Sequence, residues 1–262
     1  MGIHRIRSRM LHERVGVALI GAGGTGSEVL RGLVKLNEAL LALGHPGGLK
    51  VMVVDGDSVS EANIGRQGFW PSDVGQNKAE VLINRINLGF GLDWEAAPEY
   101  LTKECPLRQF DIVIGCVDNR AARATILKCC DGTYRDSVYW LDFGNRKADG
   151  QAILGEINTR YRLIADRLPH AADLFPEIID PTQESAADGP SCSLADALEK
   201  QALFTNQGVA THGLALLWEL FRHGQISHHG CFVNMKNGRV TPLPIDAAAW
   251  ARFGFTAQEK KA

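Results

Sequence analysis

The chain has 262 residues, of which 45% are hydrophobic and 22% are charged. This length and composition are typical of a soluble globular protein with one substantial core, and no stretch approaches the roughly 18 apolar residues of a membrane span. The formal net charge is −2 and, outside a short basic segment at residues 4–9, the basic residues are dispersed. The sequence therefore lacks the broad cationic surface on which nucleic-acid binding usually depends.

Six cysteines are spread along the chain without a C-x-x-C pair: Cys105, Cys116, Cys129, Cys130, Cys192 and Cys231. Cysteines in this arrangement, with no targeting segment ahead of the first apolar run, predict free thiols and a reducing, cytoplasmic location. Four of them fall in strand or helix runs and are expected to be packing residues: Cys116, Cys129, Cys130 and Cys231.

After a short basic arm, residues 1–14, the apolar run Val15–Ile20 predicts a buried strand. Four closely spaced glycines follow it: Gly21, Gly23, Gly24 and Gly26. Apolar spacing then predicts a helix over residues 25–43 and a second strand over residues 51–54. Two acids follow that strand: Asp55 and Asp57. Glycines between a strand and a helix let backbone N–H groups approach a phosphate, and an acid after the next strand can bind ribose hydroxyls. This stretch predicts a nucleotide site.

A polar, turn-rich segment, residues 58–75, separates the second strand from a helix predicted over residues 76–87. It carries three side chains with hydrogen-bonding capacity at the end of the sheet where α/β proteins bind ligands: Asn63, Arg66 and Gln67. Lys78 lies in the first turn of the helix, where the helix dipole opposes a cation, so an anionic ligand for it is expected. A solvated surface lysine is the alternative.

A third buried strand, residues 111–117, is followed at its carboxyl end by Asp118 and Asn119. A helix that contains Arg123 and a strand over residues 138–141 come next. Alternating strands and helices of this kind predict an α/β fold, a doubly wound and mostly parallel sheet.

The second half of the chain has a different pattern. It contains a strand over residues 151–157, a long polar loop over residues 161–193, and an apolar helix over residues 208–221. Residues 231–235 and 239–243 flank Asn237-Gly238, a strong short-turn signal, and predict a hairpin that extends the sheet with antiparallel strands.

Four motifs in order resemble the ThiF/MoeB and ubiquitin-activating enzyme superfamily: Asp55-x-Asp57, Asn63-x-x-Arg66-Gln67, Gly75-Gln76-x-Lys78 and Cys116-x-Asp118-Asn119. The resemblance implies a Rossmann-like adenylation domain over residues 15–246, between the N-terminal arm and a C-terminal tail of residues 247–262. Three features look most like the ThiF-type members of plasmid-borne PRTRC gene clusters: the residue sequence from Gly65 to Trp70, the long first helix and Pro190-Ser191-Cys192-Ser193.

The resemblance implies ATP- and Mg²⁺-dependent adenylation of the C-terminal glycine of a ubiquitin-like β-grasp protein. It assigns the four glycines to the nucleotide phosphates, Asp55 to the ribose and Asp118 to the magnesium ion. Three residues would contact the triphosphate: Asn63, Arg66 and Lys78. Asp57, Gln67 and Asn119 complete the expected nucleotide-binding set. For Asp118 the alternative is a strand-end acid that caps the next helix, and for Asp57 and Gln67 it is a structural role.

Cys192 is a candidate nucleophile, because many family members have a cysteine near this point and some form a thioester or a sulfur-transfer intermediate on it. Ser193-x-x-Asp196 resembles a capping box, which would set Cys192 before a helix N-terminus, a place that favours a thiolate. An inert, buried cysteine is the alternative.

The resemblance further implies a homodimer and, where a thioester forms, a ubiquitin-conjugating-like partner. Relatives often insert an arginine from a partner subunit into the ATP site, and four arginines of the arm are candidates here: Arg5, Arg7, Arg9 and Arg14. The paired C-x-x-C motifs of many relatives are absent, so no structural zinc is expected. His223, His228 and His229 have no partnering acid or cysteine pattern, so a metal cluster is not expected there.

Two other functions fit the glycine loop. One is an NAD(P)-dependent oxidoreductase, although Asp55 lies further from the last glycine than the usual fingerprint has it, and no hydride-transfer constellation is visible. The other is a non-catalytic nucleotide-binding partner protein.

Overall fold

The computed structural model describes residues 2–130, 137–158, 167–183 and 202–256. In chain order the strands are β1 (His4–Arg5), β2 (Val15–Ile20), β3 (Leu49–Val54), β4 (Glu95–Ala97), β5 (Ile112–Gly115), β6 (Ser137–Asn145), β7 (Asp149–Asn158), β8 (Gln225–Ile226), β9 (His228–Asn234) and β10 (Arg239–Pro244). The α-helices are α1 (Arg9–His12), α2 (Gly24–Ala42), α3 (Lys78–Phe90), α4 (Arg120–Cys130), α5 (Ala171–Leu174), α6 (Thr205–His223) and α7 (Ala247–Ala251).

Eight strands form one sheet in the order β10-β9-β7-β6-β5-β2-β3-β4. β2 lies at its centre with β3 and β5 parallel on either side, and β4 and β6 continue the parallel part. The predicted strands and helices of this half are confirmed, with ends that differ by a few residues. β6 runs four residues past its predicted end because it pairs with β7 as far as Asn145.

Beyond β6 the sheet becomes antiparallel. β7 pairs with β6 and β9, and β9 pairs with β10 through the hairpin that the sequence predicted. Gly238 in its turn has a φ of +68°, a conformation that glycine adopts without strain. The predicted fold class, a Rossmann-like and mostly parallel sheet extended by antiparallel strands from the C-terminal half, is confirmed.

The sheet buries side chains on both faces. Along β2, Val15, Val17 and Leu19 contact a core that includes α2, α3 and α6, whereas Ala18 and Ile20 contact a second core on α4. This arrangement explains the continuous apolar run in β2, since a strand covered on both sides has no solvent-facing positions. No helix in the described part of the chain is long and apolar enough to cross a membrane.

Two segments differ from what their composition suggests. The basic arm adds β1 to β8 in a separate two-stranded sheet and forms α1, so it packs on the domain. Within the predicted polar loop over residues 161–193, the described residues 167–183 form α5 and two short 3₁₀ turns. This segment folds onto the core because Leu168, Ala171 and Leu174 are buried there.

Candidate functional site

A cavity of about 870 Å³ lies at the carboxyl ends of β2, β3, β5 and β6. Ten of the predicted site residues line it: Gly21, Gly23, Gly24, Asp55, Asp57, Arg66, Gln67, Lys78, Asp118 and Asn119. Gly26 and Asn63 are not in the lining, and Cys192 lies outside the described residues. The carboxyl edge of a doubly wound sheet is where this class of fold binds ligands, because the loops diverge there and the helix N-termini converge.

The glycine loop at the start of α2 has no room for a side chain at Gly21 or Gly26. A Cβ on Gly21, whose φ is +92°, would lie 2.8 Å from the carbonyl oxygen of Cys116, and one on Gly26 would lie 1.9 Å from that of Gly21. Gly26 therefore shapes the loop from behind, while Gly23 and Gly24 face the cavity. The result is exposed backbone at a helix N-terminus, which suits a phosphate group.

Asp55 is held in place by two backbone N–H groups. Its carboxylate accepts hydrogen bonds from the N–H groups of Ala22, at 2.6 Å, and Asp57, at 2.8 Å. Burial raises the pKa of Asp55 above its usual value, and these two hydrogen bonds oppose that shift. The first bond ties the end of β3 to the glycine loop, so that the carboxylate and the loop face the same cavity.

Lys78 is 8% exposed, so the alternative of a solvated surface lysine is wrong. Its Nζ lies 2.9 Å from Asp57 Oδ2, and the hydroxyl of Tyr100 donates to Asp57 Oδ1 at 2.9 Å. Burial alone would raise the pKa of Asp57, but Lys78 and the Tyr100 hydroxyl outweigh it and lower that pKa. Tyr100, which the motifs did not point to, also lines the cavity.

The segment between β3 and α3 brings Arg66 and Gln67 to the cavity. Asn63 shapes the start of this segment, since its Oδ1 accepts a hydrogen bond from Ser60 N at 2.9 Å. Arg85 holds the later part by donating to Gly68 O at 3.0 Å and to Asp73 Oδ2 at 2.7 Å. Burial lowers the pKa of Arg66.

Gln67 carries an acceptor that faces into the site. Its Oε1 is buried and has no hydrogen-bond partner in the part of the chain that the structure describes. The same atom would lie 4.0 Å from a Cβ on Gly23, which places it beside the glycine loop. A buried acceptor of this kind is usually satisfied by a donor from outside the protein, such as water or a ligand.

Asp118 is exposed at the rim of the cavity. Asn119, rather than Asp118, caps the next helix, since its Oδ1 accepts from the backbone N–H of Ala122 at 2.8 Å. Among the described residues, no group of three or more histidine, cysteine or carboxylate side chains is arranged to hold a metal ion. Asp118 thus offers a single accessible carboxylate.

Three polar residues that the motifs did not point to line another side of the cavity: Thr25, Asn145 and Asn206. They come from α2, the end of β6 and the first turn of α6 and are hydrogen-bonded to one another. In the sequence, only the polar Asn206 at the start of an apolar helix pointed to this group. Its partners Asn145 and Thr25 are 61 and 181 positions away in the sequence.

A buried ion pair lies at the end of β6. Asp142 is 1% exposed and accepts from Arg123 Nε at 3.1 Å, while Arg123 also donates to Phe143 O at 3.0 Å. Burial raises the pKa of Asp142, and Arg123 opposes the shift. This pair ties β6 to α4 and so positions Phe143, which lines the cavity.

Three of the four candidate arginines of the N-terminal arm make side-chain contacts within their own chain. Arg9 pairs with Asp111, Arg14 pairs with Asp93, and Arg7 lies over the ring of Tyr139. These contacts lie at the amino ends of the parallel strands, opposite the cavity. His229 is likewise used within the fold: it is buried between Leu154 O, at 2.7 Å, and Trp250 Nε1, at 2.8 Å.

Comparison with solved structures agrees with this architecture. The structure of PaaA matches with a TM-score of 0.59 and 17% identity over 88% of this chain and 64% of that one. Escherichia coli MccB with ATP matches with a TM-score of 0.56 and 14% identity over 90% of this chain and 65% of that one. At these identities the likeness concerns the fold.

Two curated proteins are similar in sequence. Ubiquitin-activating enzyme E1 1 of Candida albicans (strain WO-1) is 31% identical over 126 residues, which are 44% of this chain and 12% of that protein. The NEDD8-activating enzyme E1 catalytic subunit of Saccharomyces cerevisiae (strain ATCC 204508 / S288c) is 27% identical over 171 residues, 61% of this chain and 54% of that protein. The chain thus spans about half or less of these relatives.

A family comparison covers the glycine loop, the segment with Arg66, α3 and the end of β5. The model of the ThiF family matches residues 9–172, which is more than half of the chain. Taken with the fold and with the residues that line the cavity, this match shows that the chain belongs to the ThiF family.

Proposed function

We propose that this protein is an ATP- and Mg²⁺-dependent adenylyltransferase that activates the C-terminal glycine of a ubiquitin-like β-grasp protein. One observation carries the proposal: Arg66, Lys78 and Asp118 share one cavity with the glycine loop and Asp55. The names of the two curated relatives, enzymes that activate ubiquitin and NEDD8, and the ATP bound by MccB support it.

The chemistry requires positive charge near the reacting phosphate. A substrate carboxylate oxygen attacks the α-phosphorus of ATP, the bond from that phosphorus to the β-phosphate bridge breaks, and pyrophosphate leaves. Both reactants are anions, so Arg66 and Lys78 would reduce their repulsion and stabilise the departing charge. Asp55 would fix the ribose, and the backbone N–H groups at Gly23 and Gly24 would contact the phosphates.

The donor set fits magnesium held mainly by the nucleotide. Mg²⁺ commonly takes one or two protein carboxylates and completes its shell with water and phosphate oxygens. The family resemblance assigns this role to Asp118, which is exposed at the rim. Bound there, the ion would neutralise part of the charge on the pyrophosphate.

The lining of the cavity favours this proposal over an oxidoreductase. An NAD(P)-dependent oxidoreductase needs residues that position a substrate for hydride transfer. This cavity instead presents a buried lysine and an arginine beside the glycine loop. A non-catalytic nucleotide-binding protein would have the same cavity, so activity separates the two. A thioester on Cys192, a conjugating-type partner, a homodimer and membership of the PRTRC group are further parts of the proposal, supported by family resemblance. A cytoplasmic location is another part, supported by the six cysteines without a C-x-x-C pair.

ATP–pyrophosphate exchange in the presence of small Gly-ended ubiquitin-like proteins tests the proposal. We expect exchange that depends on the protein substrate and on Asp118, measured with wild type and Asp118→Ala. Exchange with none of the candidates, or exchange that Asp118→Ala leaves unchanged, would contradict adenylation. Exchange that survives Cys192→Ala while a thiol-sensitive protein adduct disappears would identify Cys192 as the acceptor.

A further inference from the structure

The group formed by Thr25, Asn145 and Asn206 has unused hydrogen-bonding capacity. Asn145 Nδ2 donates to Thr25 Oγ1 at 2.7 Å and to Asn206 Oδ1 at 2.6 Å, so both of its N–H bonds are used. The Thr25 hydroxyl donates to Asn206 Oδ1 at 3.0 Å. Asn206 Oδ1 therefore accepts two hydrogen bonds, which is its full capacity.

Two donors, the N–H groups of Asn206 Nδ2, and one acceptor, Asn145 Oδ1, remain for a ligand. Within the described residues, Asn206 Nδ2 donates no hydrogen bond and Asn145 Oδ1 accepts none. Asn206 is only 4% exposed, yet it lines the cavity and packs so closely on the glycine loop that a Cβ on Gly24 would lie 2.2 Å from Nδ2. Asn206 Nδ2 is therefore open to the cavity, where water or a ligand can accept hydrogen bonds from it.

The group borders the glycine loop, since Thr25 lies in that loop and Asn206 packs on Gly24, but it lies away from the side of the cavity that would hold the ribose. Asp55, Lys78 and Tyr100 lie on the side of the cavity formed by β3, α3 and β4, whereas Asn145 ends β6 on the other side of β2. A nucleotide held by Asp55 and the glycine loop would leave the β6 side to whatever attacks the α-phosphate. On the proposed function, that is the C-terminal tail of the protein substrate.

The chemistry of the group matches a peptide bond. A phosphate or a carboxylate could accept from Asn206 Nδ2 but has no hydrogen to donate to Asn145 Oδ1. A peptide group offers a carbonyl oxygen for Asn206 Nδ2 and an N–H for Asn145 Oδ1. We propose that Asn145 and Asn206 bind the last peptide group of the substrate tail and so position its terminal carboxylate; this inference rests on the proposed function.

Two adenylate mimics test the inference without knowledge of the natural substrate: glycyl and glycylglycyl sulfamoyl adenosine, which differ by one peptide group. We expect wild type to bind the glycylglycyl compound about 10-fold more tightly by calorimetry, since the peptide group adds a carbonyl oxygen for Asn206 Nδ2 and fixes one N–H towards Asn145 Oδ1, where the glycyl compound has a freely rotating, solvated amine. Asn145→Ala should remove this advantage, so that the variant binds the two compounds with similar affinity. The exposed Gln207→Ala, one residue from Asn206 but outside the lining of the cavity, is the matched control and should keep the advantage.

An ester in place of the glycylglycyl amide sharpens the test, because it removes only the N–H that would meet Asn145 Oδ1. Wild type should bind the ester several-fold more weakly than the amide, and Asn145→Ala should bind both alike. Asn206→Ala should act in the same way; if it also weakens the glycyl compound by loosening the glycine loop, Asn145→Ala and the ester decide.

The outcomes distinguish the two proposals. If wild type binds neither mimic, the adenylation proposal fails and the inference falls with it. If wild type binds the glycyl compound but gains nothing from the second glycine, or if the gain survives Asn145→Ala, the inference is overturned while adenylation stands.

Discussion

The two ends of β5 carry acids with opposite surroundings. Asp111, directly before the strand, is 3% exposed and accepts a hydrogen bond from Gly16 N at 2.9 Å while pairing with Arg9. Asp118, three residues after the strand, is exposed and accepts a long hydrogen bond from Asn119, at 3.3 Å. One acid is enclosed by its own chain and the other faces the cavity.

This difference extends across the sheet. At the amino edge, Arg9 and Arg14 pair with acids of the same chain and attach the N-terminal segment to the sheet. At the carboxyl edge, Arg66 and Lys78 line a cavity large enough for a nucleotide. The ion pairs at the amino edge hold parts of the chain together, whereas Arg66 and Lys78 also face the cavity where a ligand would bind, Lys78 while paired with Asp57. We therefore expect substitutions at the two edges to affect different measurements.

The largest effect is expected for Asp118→Ala. If this carboxylate holds magnesium on the leaving pyrophosphate, exchange should fall by about 10²–10³-fold, a typical cost of losing one preorganised charge partner. The melting temperature should hardly change, because the side chain is exposed. Loss of folding in place of loss of exchange would remove the distinction between the two ends of β5.

Lys78→Met should lower exchange by about 10²-fold, because the substitution removes the cation and keeps much of the buried side-chain volume. The partner acid Asp57 is half-exposed at its side chain, so solvent can compensate it and a large loss of stability is not expected. Measuring pyrophosphate exchange and chemical denaturation on the same variant checks both expectations. Lys50→Met, at an exposed pair with Glu95, is the matched control and should change neither.

Asp111→Ala should reverse the pattern seen at Asp118. It leaves the N–H of Gly16 without its side-chain acceptor and Arg9 without its buried partner, so unfolding should become easier by about 2–3 kcal/mol in urea denaturation. Exchange per folded molecule should be retained. A variant of full stability would show that the amino edge does not anchor the N-terminal segment.

Two buried histidines in the interior, His170 and His229, should make the free energy of unfolding depend on pH. Burial lowers the pKa of His170 and of His229 to about 4, so both are neutral in the folded protein at pH 7. The unfolded chain takes up these protons near pH 6.5, so stability is complete above that pH and declines as the pH falls from 6.5 towards 4. Each histidine should contribute a loss of about 2 kcal/mol between pH 7.5 and pH 5.

His229→Gln separates this effect from other groups, since an amide can bond to Leu154 O and does not titrate. The urea-denaturation profile of this variant should be flatter between pH 7.5 and pH 5 than that of wild type. A profile as steep as that of wild type would assign the acid sensitivity elsewhere.

The smallest effect is expected for Tyr100→Phe at the carboxyl edge. It removes the hydroxyl that donates to Asp57 and keeps the ring against Gly56, so the KM for ATP should rise by about 2–5-fold with little change in kcat. Steady-state exchange at varied ATP concentrations measures this. A fall in kcat without a change in KM would place Tyr100 at the reacting phosphate instead.

Much of the parallel half of the sheet could be predicted because its signals are local. Val15–Ile20 and the run ending at Val54 are apolar on both faces, and glycine was required at positions where a Cβ has no space. The motif residues that line the cavity follow the same strands. The segment 167–183 could not be predicted in this way, because a few apolar residues among polar ones fold only against a core formed by other parts of the chain.

The sequence by itself determined three things: the order of strands and helices along the chain, the glycine loop, and the acids and cations that follow it. Each of these depends on residues close together in the sequence. Tertiary structure alone decided which charged groups meet each other and which face the cavity. Asp111 and Asp118 look alike in the sequence, and only the packing of the N-terminal segment encloses the first. The pairing of Asn145 with Asn206 likewise exists only because the sheet brings the end of β6 to the start of α6.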